Sequence, residues 1–433
     1  MIKVLLVNPS RQKNELTQEV EKLPPLGLCY LAAVLEQNGI PTDIHDDYLL
    51  NWGNERVAKL AQDYDVIGIT GLTATSLVAI DLAKKLKNKF LICGGAHATL
   101  FSLQMIKYFN TVVKGEGEQV IVDIVKNRQK GIIEGIKTEN LDTLPMPTRY
   151  KLPLEKYPLT NEFLSANRVF SMNTSRGCPY NCSFCSVKTI WGRNYRAFSP
   201  FRVVAEIEYL IVRYNANGIY FREDNFTFDR ERVIEICNLI KYNGLNLEWV
   251  CESRVEHLDE ELIKIMYKAG CRAMWFGVES GSSRMLKLIH KGVDKEKAIE
   301  TFRLCKKYGI RTGASFMLGF PEETKQEMFE TLTFAHRLDS YWTWFNYYLG
   351  IPGSDLYDKI IQDKLYDRLD ERKYAWVKVD GMSSEEMIKF HRWIKLLYLI
   401  KKPIRLWRVL TKLSPKTWII ALLKITNIYK VRL

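Results

Sequence analysis

Three cysteines in one short stretch are the residues of this sequence best suited to chemistry. Cys178, Cys182 and Cys185 follow the spacing CxxxCxxC within residues 174–200. Soft thiolate ligands favour zinc or an iron–sulfur cluster. Because three cysteines leave a cubane cluster one iron short of a protein ligand, the pattern predicts an iron with an open position where a small molecule can bind.

Two other interpretations of the triad are a structural zinc site and a chance grouping. A structural zinc site takes four Cys or His ligands, commonly in CxxC-type pairs, and neither a second pair nor a histidine lies nearby in sequence. A chance grouping is disfavoured because Gly177, Pro179, Asn181 and Ser183 surround the cysteines with turn formers, as a metal-binding loop requires. The cluster is therefore the favoured interpretation, and zinc stays as the alternative.

The triad, with Phe184 directly before the last cysteine, resembles the CxxxCxΦC loop of the radical S-adenosylmethionine superfamily. The resemblance implies a 4Fe-4S cluster held by the three cysteines, with the amino and carboxylate groups of S-adenosylmethionine on the fourth iron. It also implies one-electron cleavage of that molecule to methionine and a 5'-deoxyadenosyl radical. An electron donor such as flavodoxin or ferredoxin is then expected, and Phe184 is expected beside the adenine.

The whole chain of 433 residues is long enough for two or three domains, and 47% of it is hydrophobic. Its nine cysteines are an odd number without regular pairing, which indicates mostly free thiols in a reducing cytoplasm. The sequence shows no signal peptide and no uncharged apolar run of about 18 residues, so a soluble or peripheral protein is expected.

Residues 1–130 alternate apolar strand-like runs with helix-like segments, a pattern typical of a doubly wound parallel sheet. Ligands of such sheets bind outside the carboxyl ends of the strands. The candidate contacts at these ends are Asn8, Thr73, Gly94, Gly95, His97, Gly115 and Glu116. Composition alone leaves open whether they are ordinary turn residues or part of a cofactor site.

The stretches PPLGLCYLAAVL, GGAHAT and VVKGEGE resemble the cobalamin-binding domain that precedes the radical domain in one branch of the superfamily. The resemblance covers most of residues 1–125 and implies cobalamin at these strand ends. The DxHxxG motif, which supplies an axial histidine in many cobalamin enzymes, is absent, because Asp43 and His45 are followed by Tyr48 where the motif has glycine. We therefore expect a cobalt without a protein histidine ligand, and His45 as an ordinary strand-end residue.

Residues 131–165 contain prolines at positions 145, 147, 153 and 158 and are predicted to be a stiff linker. Residues 166–350 follow with six strand–helix units, which predicts a partial (β/α)6 barrel. The expected strands are VFSMNT, GIYFRE, LEWVCES, AMWFGVES, GASFMLG and TWFNYYL, and the expected helix N-caps are Ser199, Asp229, Asp259 and Asp294.

The carboxyl ends of these barrel strands are rich in polar residues, as a zwitterionic, ribose-bearing ligand would need. FREDNFTFD, FGVESGS and FMLGFPEET resemble the corresponding segments of the superfamily. By that resemblance, contact with S-adenosylmethionine is assigned to Asp224, Arg254, Glu279 and Ser280. Trp191 and Arg196 are expected in the wall between cluster and cobalamin, and no residue is assigned a catalytic role.

Residues 351–433 are predicted to be a basic, Trp-rich and mostly helical region. The chain has a net charge of +13, and residues 387–433 carry twelve Lys or Arg and no Asp or Glu. A helix with apolar and basic faces can lie at a membrane surface or pack on the barrel, and the sequence leaves both open. Nucleic acid is disfavoured as a partner because long aliphatic runs accompany the basic residues.

Together these features predict an α/β enzyme with a Rossmann-like cobalamin-binding domain, a partial radical S-adenosylmethionine barrel and a helical C-terminal region. The expected reaction is cobalamin-dependent methylation of carbon in a hydrophobic substrate, either a small molecule or a lipid. One alternative is a radical cyclisation or rearrangement. A methylthiotransferase would need a second cysteine triad, where only Cys29 and Cys93 occur. A zinc- or nucleic-acid-binding module is the non-enzymatic alternative.

Overall fold

A computed structural model of the chain describes residues 2–11 and 22–401. The strands are β1 (Val4–Asn8), β2 (Thr42–Asp46), β3 (Val66–Thr70), β4 (Phe90–Gly94), β5 (Thr111–Lys114), β6 (Gly131–Glu134), β7 (Val169–Met172), β8 (Ser175–Arg176), β9 (Arg196–Ala197), β10 (Gly218–Phe221), β11 (Glu248–Ser253), β12 (Cys271–Glu279), β13 (Arg311–Leu318), β14 (Trp342–Tyr347), β15 (Leu349–Gly350), β16 (Tyr366–Leu369) and β17 (Ala375–Val377). The helices are α1 (Leu26–Gln37), α2 (Asp47–Leu50), α3 (Asn54–Leu60), α4 (Ser76–Lys85), α5 (Ala96–Leu100), α6 (Ser102–Met105), α7 (Ile121–Asn127), α8 (Val187–Ile190), α9 (Pro200–Tyr214), α10 (Arg230–Tyr242), α11 (Glu260–Lys268), α12 (Ser283–Leu288), α13 (Lys295–Lys307), α14 (Lys325–Leu338), α15 (Asp355–Gln362) and α16 (Ser384–Ile400).

Strands β1 to β6 form one parallel sheet in the order β2-β1-β3-β4-β5-β6. The apolar run VLLVN of β1 is buried throughout because helices cover both faces of the sheet. α1 and α7 belong to the apolar cluster on one face, and α3 and α4 belong to the cluster on the other. The predicted doubly wound sheet is therefore confirmed. The chain changes direction between β1 and β3, so the ends of these strands flank the crevice where such sheets bind ligands.

Strands β7 and β10 to β14 form a second parallel sheet, in the order β14-β13-β12-β11-β10-β7. β7 and β14 are its two edges, so the barrel stays open on one side. All six predicted strands are present in the expected order. The four predicted N-caps each accept a hydrogen bond from a first-turn backbone amide, which starts α9, α10, α11 and α13. The predicted partial barrel is confirmed.

The proline-rich segment between the two sheets is packed against both of them. Arg149 is buried, and its guanidinium lies 2.8 Å from the carboxylate of Glu206 in α9. Thr148 donates through its backbone amide and its hydroxyl to the carbonyl of Cys29 in α1, at 3.2 and 3.0 Å. These contacts hold the first sheet and the barrel in one arrangement, which brings their carboxyl edges together.

The residues after β14 form a small antiparallel sheet, β15-β17-β16, followed by α16. This sheet was not predicted, because strands this short carry no clear alternation of apolar and polar residues. His391 in α16 donates from Nε2 to the carbonyl of Phe345 at 2.7 Å, so α16 packs on the barrel. Among residues 2–11 and 22–401, no helix has the length and apolar character needed to cross a bilayer. Residues 402–433 of the predicted basic tail lie outside the described residues.

Candidate active site

The cysteine loop leaves the barrel after β7 and returns at α9. Its base is a two-stranded ribbon in which β8 pairs antiparallel with β9. Gly177 follows β8 with φ = 86°, and a Cβ there would lie 2.3 Å from the carbonyl oxygen of Asn194. Only glycine fits this close crossing, so the loop begins at a fixed turn.

The three cysteines line one cavity of about 790 Å³, hereafter the cysteine cavity, at the carboxyl ends of the barrel strands. Cys182 is buried, and Cys178 and Cys185 are half-buried. Burial raises the pKa of the Cys178 thiol and raises the pKa of Cys185 to about 11. Metal ligation requires thiolates, so the loop releases protons when it takes up a metal centre.

The arrangement of the thiols matters for the kind of centre they can hold. Within the described ranges, no three His, Cys, Asp or Glu side chains converge on a single metal-ion position. A four-iron cluster does not require that convergence, since each thiolate binds a different iron. Three thiols that line one cavity fit such a cluster, and Cys178, Cys182 and Cys185 are the residues that would hold it.

Arg254, directly after β11, connects the cysteine loop to the barrel. Its Nη1 lies 3.7 Å from the sulfur of Cys182, and its guanidinium stacks 3.9 Å from the ring centre of Tyr180. Its Nη2 donates to the backbone carbonyl of Lys291. Arg254 is buried, and a guanidinium beside a sulfur offsets part of the negative charge of a metal-bound thiolate, so Arg254 is placed to stabilise a ligated cysteine.

The loop after α12 supports the cysteine loop and one cavity carboxylate together. The backbone amide of Ser183 donates to the carbonyl of Ile289 at 3.0 Å. Two residues later, Nζ of Lys291 lies 3.2 Å from Oε1 of Glu279, and both side chains are buried. Lys291 is a site residue that the sequence did not indicate, because nothing in its neighbourhood along the chain reveals that this loop returns to the cavity.

Glu279 ends β12 in a left-handed backbone conformation, with φ = 69°. Non-glycine residues rarely adopt it, and such strain is concentrated at functional sites. The carboxylate folds back along its own strand, where a Cβ at Gly277 would lie only 2.4 Å from Oε1. Glycine at 277 therefore leaves the space that the Glu279 carboxylate occupies.

Asp224 reaches the cysteine cavity from the loop after β10. Its side chain is open to solvent, yet partial burial in the cavity and the negative charges of Glu252 and Glu223 raise its pKa to about 6. Tyr220 donates to Glu252 at 2.6 Å, and burial raises the pKa of Glu252 despite that hydrogen bond. Carboxylates and cations thus line one cavity, which suits a zwitterionic ligand.

Four of the five residues predicted to contact S-adenosylmethionine line the cysteine cavity: Phe184, Asp224, Arg254 and Glu279. The ring of Phe184 lies 5.8 Å from that of Phe320. Ser280 is fully buried behind the cavity wall instead. Its hydroxyl lies 3.2 Å from that of Thr331 and accepts a hydrogen bond from the amide of Ser282, so it holds the turn into α12.

The cysteine cavity also has an aromatic floor, formed by Phe163, Trp275 and Trp344. Trp275 of β12 and Trp344 of β14 stack with ring centroids 4.4 Å apart and planes 14° from parallel. Phe163, from the segment between the sheets, meets Trp275 edge-on at 4.9 Å. These residues carry no signal of a functional role in the sequence, since aromatic residues in strands are ordinarily core residues.

A second cavity of about 640 Å³, hereafter the sheet-edge cavity, lies at the carboxyl edge of the first sheet. The predicted contacts Asn8, Gly94, Gly95, Gly115 and Glu116 line it, whereas Thr73 and His97 do not. Much of the remaining lining is apolar and includes Trp191. Gly115 has φ = 82°, and a Cβ there would meet nothing within 4 Å, so a glycine keeps this edge open. A mainly apolar cavity with a bare backbone edge fits a large, flat cofactor.

No histidine lines the sheet-edge cavity in the described part of the chain. His97 is fully buried beside Phe101, at 4.8 Å between rings, and burial lowers its pKa to about 4. His45 packs on Trp52 at 4.7 Å, with Nε2 3.4 Å from Asp47. His45 in β2 and His97 in α5 are therefore both packed against neighbouring aromatic side chains.

Glu116 lines the sheet-edge cavity, but its carboxylate is already engaged. It accepts hydrogen bonds from Arg176 at 2.7 Å, from Arg196 at 3.2 Å and from the backbone amide of Thr138 at 3.2 Å. Arg176 also bonds to Glu118 at 2.6 Å. Burial raises the pKa of Glu116, but the Arg196 hydrogen bond and the charge of Arg176 outweigh burial and hold it below its ordinary value. Since the arginines lie on β8 and β9, this charge network ties the base of the cysteine loop to the first sheet.

The short helix α8 follows the last cysteine and borders both cavities. Val187 and Lys188 line the cysteine cavity, and Ile190 and Trp191 line the sheet-edge cavity. A third cavity, of about 660 Å³, also has α8 in its wall. A single helical turn, followed by Trp191, therefore lies between the two predicted cofactor sites.

Two protein-family models match the chain. The Radical SAM superfamily model matches residues 172–335, and the B12 binding domain model matches residues 20–125. The first range contains the cysteine cavity's three thiols, and the second contains the glycine-rich edge of the first sheet.

An uncharacterized methyltransferase of Pyrococcus horikoshii is 32% identical over 424 residues, which cover 90% of this chain and 91% of the relative. An anaerobic magnesium-protoporphyrin IX monomethyl ester cyclase of Rubrivivax gelatinosus is 27% identical, with 89% of this chain and 75% of the relative covered. The solved structure of the radical S-adenosylmethionine methyltransferase TsrM from Kitasatospora setae, with cobalamin and a [4Fe-4S] cluster bound, superposes with a TM-score of 0.67. That match is 18% identical and covers 86% of this chain and 76% of TsrM, so it shows a shared fold.

Proposed function

Because this chain belongs to the cobalamin-binding branch of the radical S-adenosylmethionine superfamily, we propose that it transfers a methyl group to a carbon atom of a small-molecule substrate. The observation that carries the proposal is α8, which borders the cysteine cavity on one side and the sheet-edge cavity on the other. When bound, the cluster and S-adenosylmethionine supply the radical that removes a hydrogen atom from carbon, and cobalamin carries the methyl group that replaces it.

Cys178, Cys182 and Cys185 are the proposed cluster ligands. This assignment is supported by the set of donor groups: three thiols line one cavity, and no fourth cysteine is among the residues that line it. Arg254 donates to the sulfur of Cys182 and compensates part of the negative charge that three thiolates bring into a partly buried loop.

Asp224, Arg254 and Glu279 are the proposed polar contacts of S-adenosylmethionine, with Phe184 beside its adenine. The carboxylates suit the ammonium and ribose hydroxyl groups, and Arg254 suits the carboxylate. We add Lys291 as a positioning residue, because it holds one oxygen of Glu279 and leaves the other for the ligand. Ser280 contributes by holding the turn that follows Glu279.

Cobalamin is proposed to bind in the sheet-edge cavity, against Asn8, Gly94, Gly95 and Gly115. These residues present a polar side chain and bare backbone at the strand ends, where a broad ring system can approach closely. Glu116 is proposed to support the cobalamin site indirectly, by holding Arg176 and Arg196 in place, rather than by contacting cobalamin itself. Thr73 and His97 do not line this cavity. Their contact with cobalamin remains a prediction.

Isotope labelling tests the proposal even though the substrate is unidentified. Cells producing the wild-type chain or Cys182→Ala are grown on methionine with a trideuterated methyl group, and their small molecules and lipids are compared by mass spectrometry. A product that carries three deuterium atoms and is missing with Cys182→Ala is expected. The variant Cys237→Ala, a buried thiol of the barrel core, is the matched control and should retain the product.

A radical ring closure or rearrangement is the second candidate, favoured by the 27% identity to a magnesium-protoporphyrin IX monomethyl ester cyclase. The labelling experiment separates the two, because a product that depends on Cys182 but carries no deuterium would contradict methylation. A methylthiotransferase is less well supported. Cys29 and Cys93 lie in apolar clusters on opposite faces of the first sheet and cannot share one cluster.

Two further partners belong to the same proposal. The first is an electron donor such as flavodoxin or ferredoxin, and the second is a membrane surface contacted through residues 387–433. Within α16, Met387, Ile394 and Tyr398 are buried on the barrel, so membrane contact is assigned to the residues after Lys401. Liposome flotation of the full chain and of a chain ending at Lys401 checks this, and equal flotation would contradict it.

A further inference from the structure

We propose that the aromatic floor of the cysteine cavity binds a planar, conjugated ring of the substrate by stacking on Trp344. This inference names a substrate class and rests on the proposed function. The floor is a built surface with one free aromatic face, and nothing in the proposed cofactor sites uses it.

The position of Trp275, the lower ring of the stack, is fixed by its surroundings. A Cβ at Gly313 would lie 2.3 Å from the indole ring of Trp275, so glycine at this position lets the ring lie flat against β13. Phe163 meets the same ring edge-on, with planes inclined at 76°. Because the ring of Trp275 is already held in place, the protein loses little conformational entropy when a ligand stacks on the pair.

Trp344 is 39% exposed, although it lies on the inner wall of a barrel strand. Trp275 covers one face of its indole, and Trp342 approaches it edge-on at 6.4 Å. The exposed part therefore faces the cavity. A rigid indole with one covered and one open face is a stacking surface for another flat ring.

Two hydrogen-bonded pairs of polar side chains line the cavity near the floor. Tyr220 donates to Glu252 at 2.6 Å, and Asn346 donates to Ser315 at 3.1 Å. These hydrogen bonds occupy polar atoms of the four side chains, so an uncharged ring can lie beside them without displacing a partner. The floor thus suits an uncharged ring, in contrast to the charged end of the same cavity.

The floor is separate from the charged end where S-adenosylmethionine is proposed to bind. Trp275 precedes Glu279 by four residues on β12, which is about 13 Å along a strand. Trp344 pairs with Ser315 of β13, and Ser315 pairs with Gly277 of β12, so Trp344 lies two strands, or about 10 Å, across the sheet from β12. A ring on Trp344 consequently occupies the β14 side of the cavity and does not replace the charged groups held at β12.

The open side of the barrel gives access to the floor. Trp344 lies on β14, an edge strand that pairs only with β13. Residues 160–163 of the segment between the sheets line the same cavity, and Phe163 packs beside this edge: its carbonyl accepts from Arg311 of β13, and its ring lies 6.0 Å from that of Tyr341. The unpaired edge of β14 is therefore the side from which a substrate can reach Trp344.

Binding of 5-fluoroindole, followed by fluorine NMR on the full chain, tests the proposal. The probe should bind the wild type and Trp344→Phe, and it should bind Trp344→Leu about tenfold more weakly, as expected for loss of one stacking partner. Gly313→Ala, which leaves Trp344 in place and displaces Trp275, should also weaken binding. Trp393→Leu, in α16 outside the cavity, is the control and should bind like the wild type.

Titrations with and without a reconstituted cluster and S-adenosylmethionine separate the outcomes. Equal affinity of Trp344→Leu and wild type would overturn the inference, and so would displacement of the probe by S-adenosylmethionine. A fluorinated cyclohexane that binds as tightly as 5-fluoroindole would refute selection for a flat ring. If the chain binds the probe at Trp344 but takes up no S-adenosylmethionine, the proposed function fails while the aromatic site stands.

Discussion

Replacing Glu116 by Gln should destabilise the joint between the first sheet and the barrel. The carboxylate is 1% exposed and accepts hydrogen bonds from two buried arginines, Arg176 at 2.7 Å and Arg196 at 3.2 Å. Removing one partner of a buried ion pair costs about 3–5 kcal/mol, because the other charge stays buried without compensation. Each arginine keeps one acceptor, Glu118 and the Thr138 carbonyl respectively, so we expect the lower end, about 3 kcal/mol.

The assay is urea unfolding of the full chain at several pH values, read as an apparent free energy of unfolding. The pKa of Glu116 is held below its ordinary value of 4.5, so its contribution is complete above that pH and is lost as the pH falls through the lower folded value. The difference between wild type and Glu116→Gln should therefore shrink below pH 4.5. Glu118→Gln, which removes a partner of Arg176 alone, is the matched control. A loss under about 1 kcal/mol, or one independent of pH, would refute the reasoning.

Two further predictions concern the cysteine cavity. Cys182→Ala should lose the broad iron–sulfur absorbance after anaerobic reconstitution. Cys305→Ala, which removes a thiol of the buried core, should keep it. Stoichiometric zinc in place of iron in the native chain would contradict the cluster. Lys291→Met should weaken S-adenosylmethionine binding about tenfold in equilibrium dialysis, because Glu279 loses the cation that orients it, and unchanged affinity would exclude this role.

The architecture was predictable because its signals are local. Apolar runs with intervening helix caps define each strand–helix unit, and Asp229 and Asp259 occupy the cap positions that their side-chain chemistry favours. The cysteine spacing is likewise contained in eight residues, so its convergence on one cavity follows from a short loop. The small sheet β15-β17-β16 lacked such a signal, since its strands are two to four residues long and β15 pairs with β17 across more than twenty positions.

The site residues were predictable only as far as their position along a strand determines their direction. Glu116 was placed correctly at a strand end, but its partners Arg176 and Arg196 lie 60 and 80 residues away, and no local pattern reveals that pairing. The sequence did contain charges of opposite sign that could pair: two arginines flank the cysteine loop, and the stretch GEGE carries two glutamates. His97 and Ser280 are fully buried and do not line either cavity, because the position of a residue next to a strand end does not determine which way its side chain points. Their assignment as cofactor contacts stays a prediction.

The position of α8 limits how an enzyme of this architecture can acquire new substrates. Its single turn borders three cavities, so a substitution there alters more than one of them. Among these cavities, residues 160–163 and the strand β14 border only the one that contains the cysteines. A change of specificity therefore disturbs the cofactor sites least when it occurs in residues 160–163 or in β14. A new side chain there reshapes the space for a substrate and leaves the distance between the two cofactor cavities unchanged.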